Sequence, residues 1–180
     1  MKVLGLIGSP RRHSNTDLLV SAILDGASQN NQATEKIYLY DIEIAPCLDC
    51  RSCKQGNFKC AIRDGFQMLY PKLMEANVIV FGTPLYWYGP SAKMKLLLDR
   101  LRPFIASKGL SGKKAVLVVP SEEGPDACNF IVGMFNSSFK YLEIDMISTI
   151  LAKASEKAEI KAQPQVLNKA FALGKSLKQF

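Results

Sequence analysis

The fold is decided by residues 2–16, KVLGLIGSPRRHSNT, in which an apolar run leads into a Gly-Ser-Pro turn and then a polar segment. Residues 2–8 are largely apolar and alternate little, as expected of a strand that is buried on both faces of a sheet. The turn at residues 8–10 ends that strand, and the polar residues 14–16 can cap the helix that follows. The stretch therefore predicts the first strand and helix of a parallel α/β sheet.

The same alternation of apolar strand and amphipathic helix recurs along the chain. The further strands are predicted at residues 34–40, 78–81, 113–119 and 142–150. The helices are predicted to follow residue 14 and to lie near residues 65–75, 91–101, 127–141 and 165–178. We therefore predict an α/β fold with a doubly wound five-stranded parallel sheet in the order 2-1-3-4-5 and helices on both faces. Ligands of such sheets bind at the carboxyl ends of the strands, beside the first and third strands.

The composition fits one domain spanning residues 1–180. Apolar residues make up 48% of the chain and charged residues 22%, which is typical of a folded, core-forming protein. The apolar runs are too short to cross a bilayer, so we expect a cytoplasmic protein that does not bind membranes. The net charge is +7, but no basic cluster is interleaved with aromatic residues, so we expect no nucleic-acid partner.

The loop after the first strand has the composition of a phosphate site. Residues 8–16 supply hydroxyls, an amide, two guanidinium groups and the backbone N–H groups of a helix start. The dinucleotide motif and the P-loop motif are both absent, so a terminal phosphate fits this loop better than a diphosphate. The alternative is a polar turn whose hydroxyl only caps the helix.

The loop after the third strand is rich in aromatic residues. Residues 82–90, GTPLYWYGP, place three aromatic side chains between two Gly/Pro turns, which favours a planar aromatic ligand. The alternative is that these rings pack on the core or on another subunit. His13 is the one histidine of the chain, so we predict no Ser-His-Asp or Cys-His catalysis and assign no catalytic acid or base.

Four cysteines form a compact group in an insertion at about residues 41–62. The spacing is Cys47-x₂-Cys50-x₂-Cys53-x₆-Cys60. Three thiols at this spacing can surround one side of an iron–sulfur cubane, and Cys60 can complete the site if the chain turns back. Zinc bound by four thiolates and a thiol site without metal are the alternatives. Cys128 is interpreted as a small buried residue rather than a ligand.

Together these motifs carry a family resemblance. They are the residues Gly8-Ser9-Pro10-Arg11, Ser14-Asn15-Thr16, Gly82-Thr83-Pro84-Leu85-Tyr86-Trp87 and Lys95-x-x-x-Asp99-Arg100. The chain resembles the NADPH-dependent FMN reductases of the flavodoxin superfamily, and with the cysteines it is most similar to their iron–sulfur flavoprotein branch. The resemblance implies a flavodoxin-like fold.

The resemblance also implies where the cofactors bind. The phosphate of FMN would be held by Ser9, Arg11, Ser14, Asn15 and Thr16, and the isoalloxazine ring would be bordered by Pro84, Leu85, Tyr86 and Trp87. The third flavin loop would include Ser121, although residues 120–125 lack the glycine run that is frequent in the family. We expect Glu122 and Glu123 to point outward from it. A [4Fe-4S] cluster would be held by Cys47, Cys50, Cys53 and Cys60.

The function implied is electron transfer between FMN and the cluster. Such a protein would link a ferredoxin-like carrier to a small acceptor such as oxygen, peroxide or a quinone, with NAD(P)H as another candidate donor. The alternatives are an NAD(P)H-dependent FMN or quinone reductase without a cluster, and a non-catalytic flavin- or metal-binding regulator. Because the cysteine insertion begins beyond the edge strand, we expect a homodimer or homotetramer in which it meets a neighbour's flavin.

Overall fold

Five parallel strands form the central sheet of the computed structural model, which describes residues 1–177. The strands are β1 (Lys2–Ile7), β2 (Ala33–Tyr38), β3 (Val78–Gly82), β4 (Lys114–Ser121) and β5 (Asp145–Lys153). Their spatial order is β2-β1-β3-β4-β5, with every neighbouring pair parallel. The predicted flavodoxin-like fold class and strand order are therefore confirmed.

Within the described residues, six α-helices connect or flank these strands. They are α1 (Asn15–Ser28), α2 (Leu69–Glu75), α3 (Ala92–Asp99), α4 (Pro103–Ser107), α5 (Asn129–Leu142) and α6 (Pro164–Ser176). The helix predicted over residues 165–178 ends at Ser176, and Lys178 lies outside the described residues. None of the helices within residues 1–177 combines the length and the apolar character that crossing a bilayer would require.

Two differences from the predicted secondary structure have a cause in the local backbone conformation. The fifth strand begins at Asp145 rather than Leu142, because α5 continues to Leu142 and Glu143 ends it in the left-handed conformation with φ 59°. The aromatic loop after β3 folds back on itself as a two-stranded antiparallel hairpin, which the sequence pattern did not predict. The left-handed Trp87 and Tyr88, with φ 49° and 60°, form the turn of this hairpin.

The sheet separates two apolar layers. Leu4 and Leu6 of β1 point into the layer that packs against α2, α3 and α5, whereas Val3 and Ile7 point into the layer formed with α1 and α6. All four side chains are fully buried. Burial on both faces explains why this strand is continuously apolar instead of alternating.

Helices α1 and α6 approach each other closely at two glycines. A Cβ atom on Gly174 would lie 1.9 Å from the carbonyl oxygen of Ile23, and one on Gly26 would lie 2.1 Å from that of Phe171. Both contacts are with backbone atoms, which cannot rotate away as a side chain can. The two helices can therefore cross at this distance only because neither glycine has a side chain.

Candidate functional site

A pocket opens at the carboxyl ends of β1, β3, β4 and β5, at the switch point of the sheet. We call it the strand-end pocket. It is lined by Ser9, Arg11, Ser14, Asn15, Thr16, Pro84, Leu85, Tyr86, Pro120, Ser121, Glu122, Ala154 and Ser155. The loops that follow four of the strands therefore contribute to a single site.

The strand-end pocket brings together nine of the ten residues predicted to bind the flavin. The nine are Ser9, Arg11, Ser14, Asn15, Thr16, Pro84, Leu85, Tyr86 and Ser121. Trp87 is not among the lining residues: it lies at the turn of the hairpin, where 97% of its surface is exposed. The proximity of these residues agrees with the expected site, while their contacts with a flavin stay a prediction.

Four lining residues were not among the predicted site residues. Pro120 lies near the end of β4, Glu122 follows β4, and Ala154 and Ser155 follow β5. The last two were missed because ligand residues were predicted only after the first, third and fourth strands, whereas the pocket also includes the residues after β5. Glu122 and Glu123 are both exposed, and Glu122 borders the pocket.

The loop after β1 is held in shape by the buried carboxylate of Asp17. Its oxygens accept hydrogen bonds from the backbone N–H of His13 at 2.8 Å, the Tyr38 hydroxyl at 2.7 Å and the Lys36 ammonium at 2.8 Å. Burial opposes ionisation, but the bonds from Lys36 and Tyr38 outweigh it and lower the pKa of Asp17. His13 has the left-handed φ of 53°, so Asp17 fixes a strained turn beside the expected phosphate site.

The two adjacent arginines of this loop have different surroundings. Arg11 lines the strand-end pocket, and its Nη1 donates to the Ser155 carbonyl at 3.3 Å. Arg12 pairs instead with Asp41 at 2.5 Å and stacks over the Tyr38 ring at 4.3 Å. Arg11 is therefore the guanidinium group that can reach an anion in the pocket.

Two polar residues at the start of α1 have different roles. One makes hydrogen bonds to the backbone, and the other has a hydroxyl that can face the pocket. Asn15 connects two segments: its Nδ2 donates to the Glu156 carbonyl at 2.8 Å, and its Oδ1 accepts from the Ile160 N–H at 3.1 Å. Ser14 is the N-cap residue of α1, yet its side chain makes no capping hydrogen bond. The Ser14 hydroxyl is thus the better placed of the two to bind a ligand.

The aromatic hairpin is joined to the loop after β1 through Ser91. The Ser91 hydroxyl donates to the carbonyl of Gly8 and accepts from the N–H of Met94 at 3.3 Å. Its own N–H donates to the Thr83 hydroxyl at 2.9 Å. Gly8 cannot carry a side chain here, because a Cβ atom would lie 2.9 Å from the Cβ of Met94. These contacts set the distance between the two sides of the strand-end pocket.

The cysteine insertion forms a second site on the opposite end of α3. Cys47, Cys50, Cys53 and Cys60 line one cavity together with Arg102, and we call this the cysteine cavity. Within residues 1–177, no group of three or more His, Cys, Asp or Glu side chains is placed to hold a single metal ion. A zinc ion binds its four thiolates directly at about 2.3 Å. A cubane binds one thiolate on each of four irons, so its cysteines lie farther apart.

A buried ion pair anchors the insertion to the end of α3. Arg100 binds Asp64 through two hydrogen bonds of 2.7 and 3.1 Å and also donates to the carbonyl of Ala45 at 2.8 Å. Arg100 is 1% exposed and Asp64 5% exposed. Hydrogen bonds from Arg100 outweigh the effect of burial and lower the pKa of Asp64. The insertion begins after the edge strand β2, as predicted, and this ion pair brings its far end back to the end of α3.

The surroundings of the cysteine cavity fit an anionic thiolate centre. Arg102 contacts Cys47, and the buried Nε of Arg100 has no hydrogen-bond partner among residues 1–177. The Ser52 hydroxyl donates to Cys50 at 3.5 Å and lowers the pKa of that thiol, whereas burial raises the pKa of the Cys53 thiol. Cationic donors beside four thiols offset the charge that a thiolate-bound cluster would carry. Cys128 is buried at the start of α5, away from this group, as expected.

The parallel sheet and a pocket at its switch point define a flavodoxin-like protein. The chain belongs to the NADPH-dependent FMN reductase family, whose family model matches residues 1–131. FMN is the cofactor that gives this family its name. The resemblance noted from the sequence motifs is thereby confirmed.

The curated relatives place the chain in the iron–sulfur flavoprotein branch. It is 41% identical over 126 residues to an iron-sulfur flavoprotein of Methanocaldococcus jannaschii, covering 69% of this chain and 65% of that protein. It is 33% identical over 100 residues to an iron-sulfur flavoprotein of Methanosarcina thermophila, covering 56% of this chain and 52% of that protein. The matches thus span less than two thirds of either relative.

Structural similarity extends over the whole chain. An NAD(P)H:quinone oxidoreductase from Methanothermobacter marburgensis superimposes with a TM-score of 0.80 at 18% identity, covering 100% of this chain and 97% of that protein. At this identity the similarity supports the fold and not the substrate.

Proposed function

We propose that the protein is a flavin-dependent oxidoreductase that binds FMN in the strand-end pocket. The observation that carries this proposal is the convergence of nine predicted residues, from three separate loops, on that pocket. Arg11, Ser9 and Ser14 would bind the phosphate at the start of α1, where backbone N–H groups favour an anion. Pro84, Leu85 and Tyr86 would border the ring system. Family membership supports the same cofactor.

The residues of the pocket bind and orient rather than transfer protons. Asp17 keeps its charge and holds the loop after β1, so the phosphate site is preorganised before the ligand arrives. Bound FMN would supply the redox chemistry, accepting two electrons and releasing them singly or together. The chain would thus position the FMN, exclude water from it and supply charge close to its phosphate. We assign no general acid or base.

We further propose that the four cysteines hold a [4Fe-4S] cluster that exchanges electrons with the flavin. The shared cavity, the neighbouring Arg102 and the unpartnered Nε of Arg100 support this assignment. The names of the curated relatives support it as well. A ferredoxin-like carrier would be the donor, and oxygen, peroxide or a quinone would be the acceptor.

A visible spectrum of anaerobically purified protein tests this proposal. The wild-type protein should show flavin bands together with the broad absorbance of an iron–sulfur cluster. Cys60→Ser should lose the broad absorbance and keep the flavin, because Cys60 lines the cysteine cavity and not the strand-end pocket. Cys128→Ser is the matched control and should keep both signals. A flavin spectrum that is identical in all three proteins would refute the cluster.

The second candidate is an NAD(P)H-dependent FMN or quinone reductase that uses no cluster. It is supported by family membership, because the matching family model describes NADPH-dependent FMN reductases. The two candidates differ in whether the protein carries a cluster. Anaerobically purified wild-type protein that contains neither iron nor acid-labile sulfide, and whose flavin is reduced by NADPH, would support the second candidate.

We also propose that the working unit is a homodimer or homotetramer. The support is an exposed aromatic patch beside the strand-end pocket, formed by Tyr86, Trp87, Tyr88 and Phe130, with Trp87 97% and Phe130 75% exposed. Contiguous apolar surface of this kind is typical of protein interfaces. Light scattering should give a multiple of the 19.9 kDa chain mass, and Trp87→Ser with Phe130→Ser should lower it. A wild-type monomer with full flavin-to-cluster electron transfer would contradict the proposal.

A further inference from the structure

A third cavity lies between the cysteine insertion and helices α2 and α4. Its volume is about 350 Å³, within the range of small-molecule sites. It is lined by Asn57, Phe58, Lys59, Arg63, Gln67, Tyr70, Pro71, Met74, Pro103, Phe104 and Ser107. None of these residues lines the strand-end pocket or the cysteine cavity, so this is a separate site. We call it the aromatic cavity.

The walls of the aromatic cavity are built from rings. Phe104 is 3% exposed, and its ring centroid lies 5.4 Å from that of Tyr70 at an interplanar angle of 61°. Phe58 contributes a third, more exposed ring from the insertion, held in the left-handed conformation with φ 55°. Ring-lined walls favour a flat aromatic ligand, which can stack on one ring and meet the edge of another.

The charged groups of the aromatic cavity are all positive. Lys59 and Arg63 line it, whereas no Asp or Glu of residues 1–177 is among its lining residues. Neighbouring arginines already have carboxylate partners: Arg102 pairs with Asp49 and Arg100 pairs with Asp64. Within residues 1–177, Lys59 and Arg63 form no ion pair, so both remain available to an anion.

We propose that the aromatic cavity binds a planar aromatic molecule that carries an anionic group. The rings of Phe58, Tyr70 and Phe104 would hold its flat body, and Lys59 and Arg63 would bind its carboxylate or sulfonate. Tyr70 also neighbours the Cys60 thiol, which places the bound molecule one side chain from the cysteine cavity. The binding itself depends on neither a flavin nor a cluster, so this proposal and the proposed function can fail independently.

Titration calorimetry tests the proposal. Anthraquinone-2-sulfonate is titrated into the protein with its cofactors bound. We expect saturable binding of one molecule per chain. Arg63→Glu and Lys59→Glu should each weaken it about tenfold or more, as loss of a charge-assisted contact does. Phe58→Ala should weaken it as well. Lys161→Glu is the matched control, since it makes the same change in net charge elsewhere on the surface, and it should stay within about twofold of the wild type.

Three results would overturn the proposal. The first is the absence of saturable binding by the wild-type protein. The second is equal weakening by Arg63→Glu and Lys161→Glu, which would mean attraction to net charge alone. The third is loss of binding in Arg11→Ala, since this would place the probe in the strand-end pocket.

Discussion

At the scale of single residues, neighbouring side chains of the same type have different tasks because their surroundings differ. Arg11 and Arg12 are adjacent, but only Arg11 lines the strand-end pocket, whereas Arg12 is bound to Asp41 and stacked on Tyr38. The family resemblance predicted that Arg11 binds the phosphate of FMN. It could not identify the partners of Arg12, because Asp41 is distant in sequence and is brought close only by the folded β2 segment.

Arg11→Ala should therefore weaken FMN binding more than riboflavin binding. Loss of a charge-assisted contact with the phosphate should cost about 1.5–3 kcal/mol, or roughly ten- to a hundredfold in affinity. Riboflavin has no phosphate, so its affinity should change much less. Fluorescence titration of the protein stripped of flavin measures both affinities.

Arg12→Ala is the control for that experiment, because it removes the same charge from the adjacent position. Its FMN affinity should remain close to that of the wild-type protein. Equal weakening of FMN and riboflavin by Arg11→Ala would mean that Arg11 does not contact the phosphate.

The buried carboxylate of Asp17 makes stability depend on pH in a defined direction. Its pKa is lower in the folded protein, so its contribution is complete above the ordinary carboxyl pKa of about 3.9 and is lost as the pH falls through the folded value. Asp17→Asn should cost about 1–3 kcal/mol of unfolding free energy at pH 7, and less at pH 3. Tyr38→Phe removes one of the donors and should give an intermediate change.

Urea unfolding at a series of pH values from 7 to 3 measures this effect. The curves for the wild type and for Asp17→Asn should approach each other as the pH falls. A constant difference between them over the whole range would show that the carboxylate is not a charged partner in the folded state.

At the scale of elements, periodicity predicted the sheet and failed where tertiary contacts decide the structure. The five strands and their order followed from apolar runs that the two layers bury on both faces. The hairpin of residues 85–90 was not predicted, because it depends on the left-handed conformations of Trp87 and Tyr88, which carry no propensity signal. Ala154 and Ser155 follow β5, and they were not part of the predicted site because the ligand loops were expected only after the first, third and fourth strands.

The cysteine insertion illustrates the same limit on prediction. Its motif located the four cysteines correctly as a group, and they line one cavity. Its path could not be derived from the motif, because it depends on the buried pair of Asp64 and Arg100, residues 36 positions apart in sequence. A buried ion pair between distant residues leaves no periodic signal in a single sequence.

The crossing of α1 and α6 yields a stability prediction at this scale. Gly174→Ala would place a methyl group against the backbone of Ile23, so the helices must separate despite the better helix propensity of alanine. We expect a loss of about 1–3 kcal/mol of unfolding free energy. Gly133→Ala is the control: its methyl group would meet nothing within 4 Å, and it should stabilise the protein by about 0.5–1 kcal/mol. Equal effects of the two substitutions in thermal unfolding would contradict the close crossing.

At the scale of the whole molecule, α3 connects the strand-end pocket and the cysteine cavity. Its N-cap residue Ser91 binds the loop after β1, and Arg100 at its other end anchors the cysteine insertion. A helix of eight residues spans about 12 Å. A single helix therefore connects the two sites within one chain.

The content of iron and acid-labile sulfide per FMN after anaerobic purification decides whether the protein carries both a flavin and a cluster. We predict one FMN per chain and about four irons and four sulfides per FMN, as a [4Fe-4S] cluster on Cys47, Cys50, Cys53 and Cys60 requires. Cys60→Ser should lose the iron and sulfide and retain the FMN. One zinc per chain without sulfide, or stoichiometric FMN with neither iron nor sulfide, would contradict this prediction.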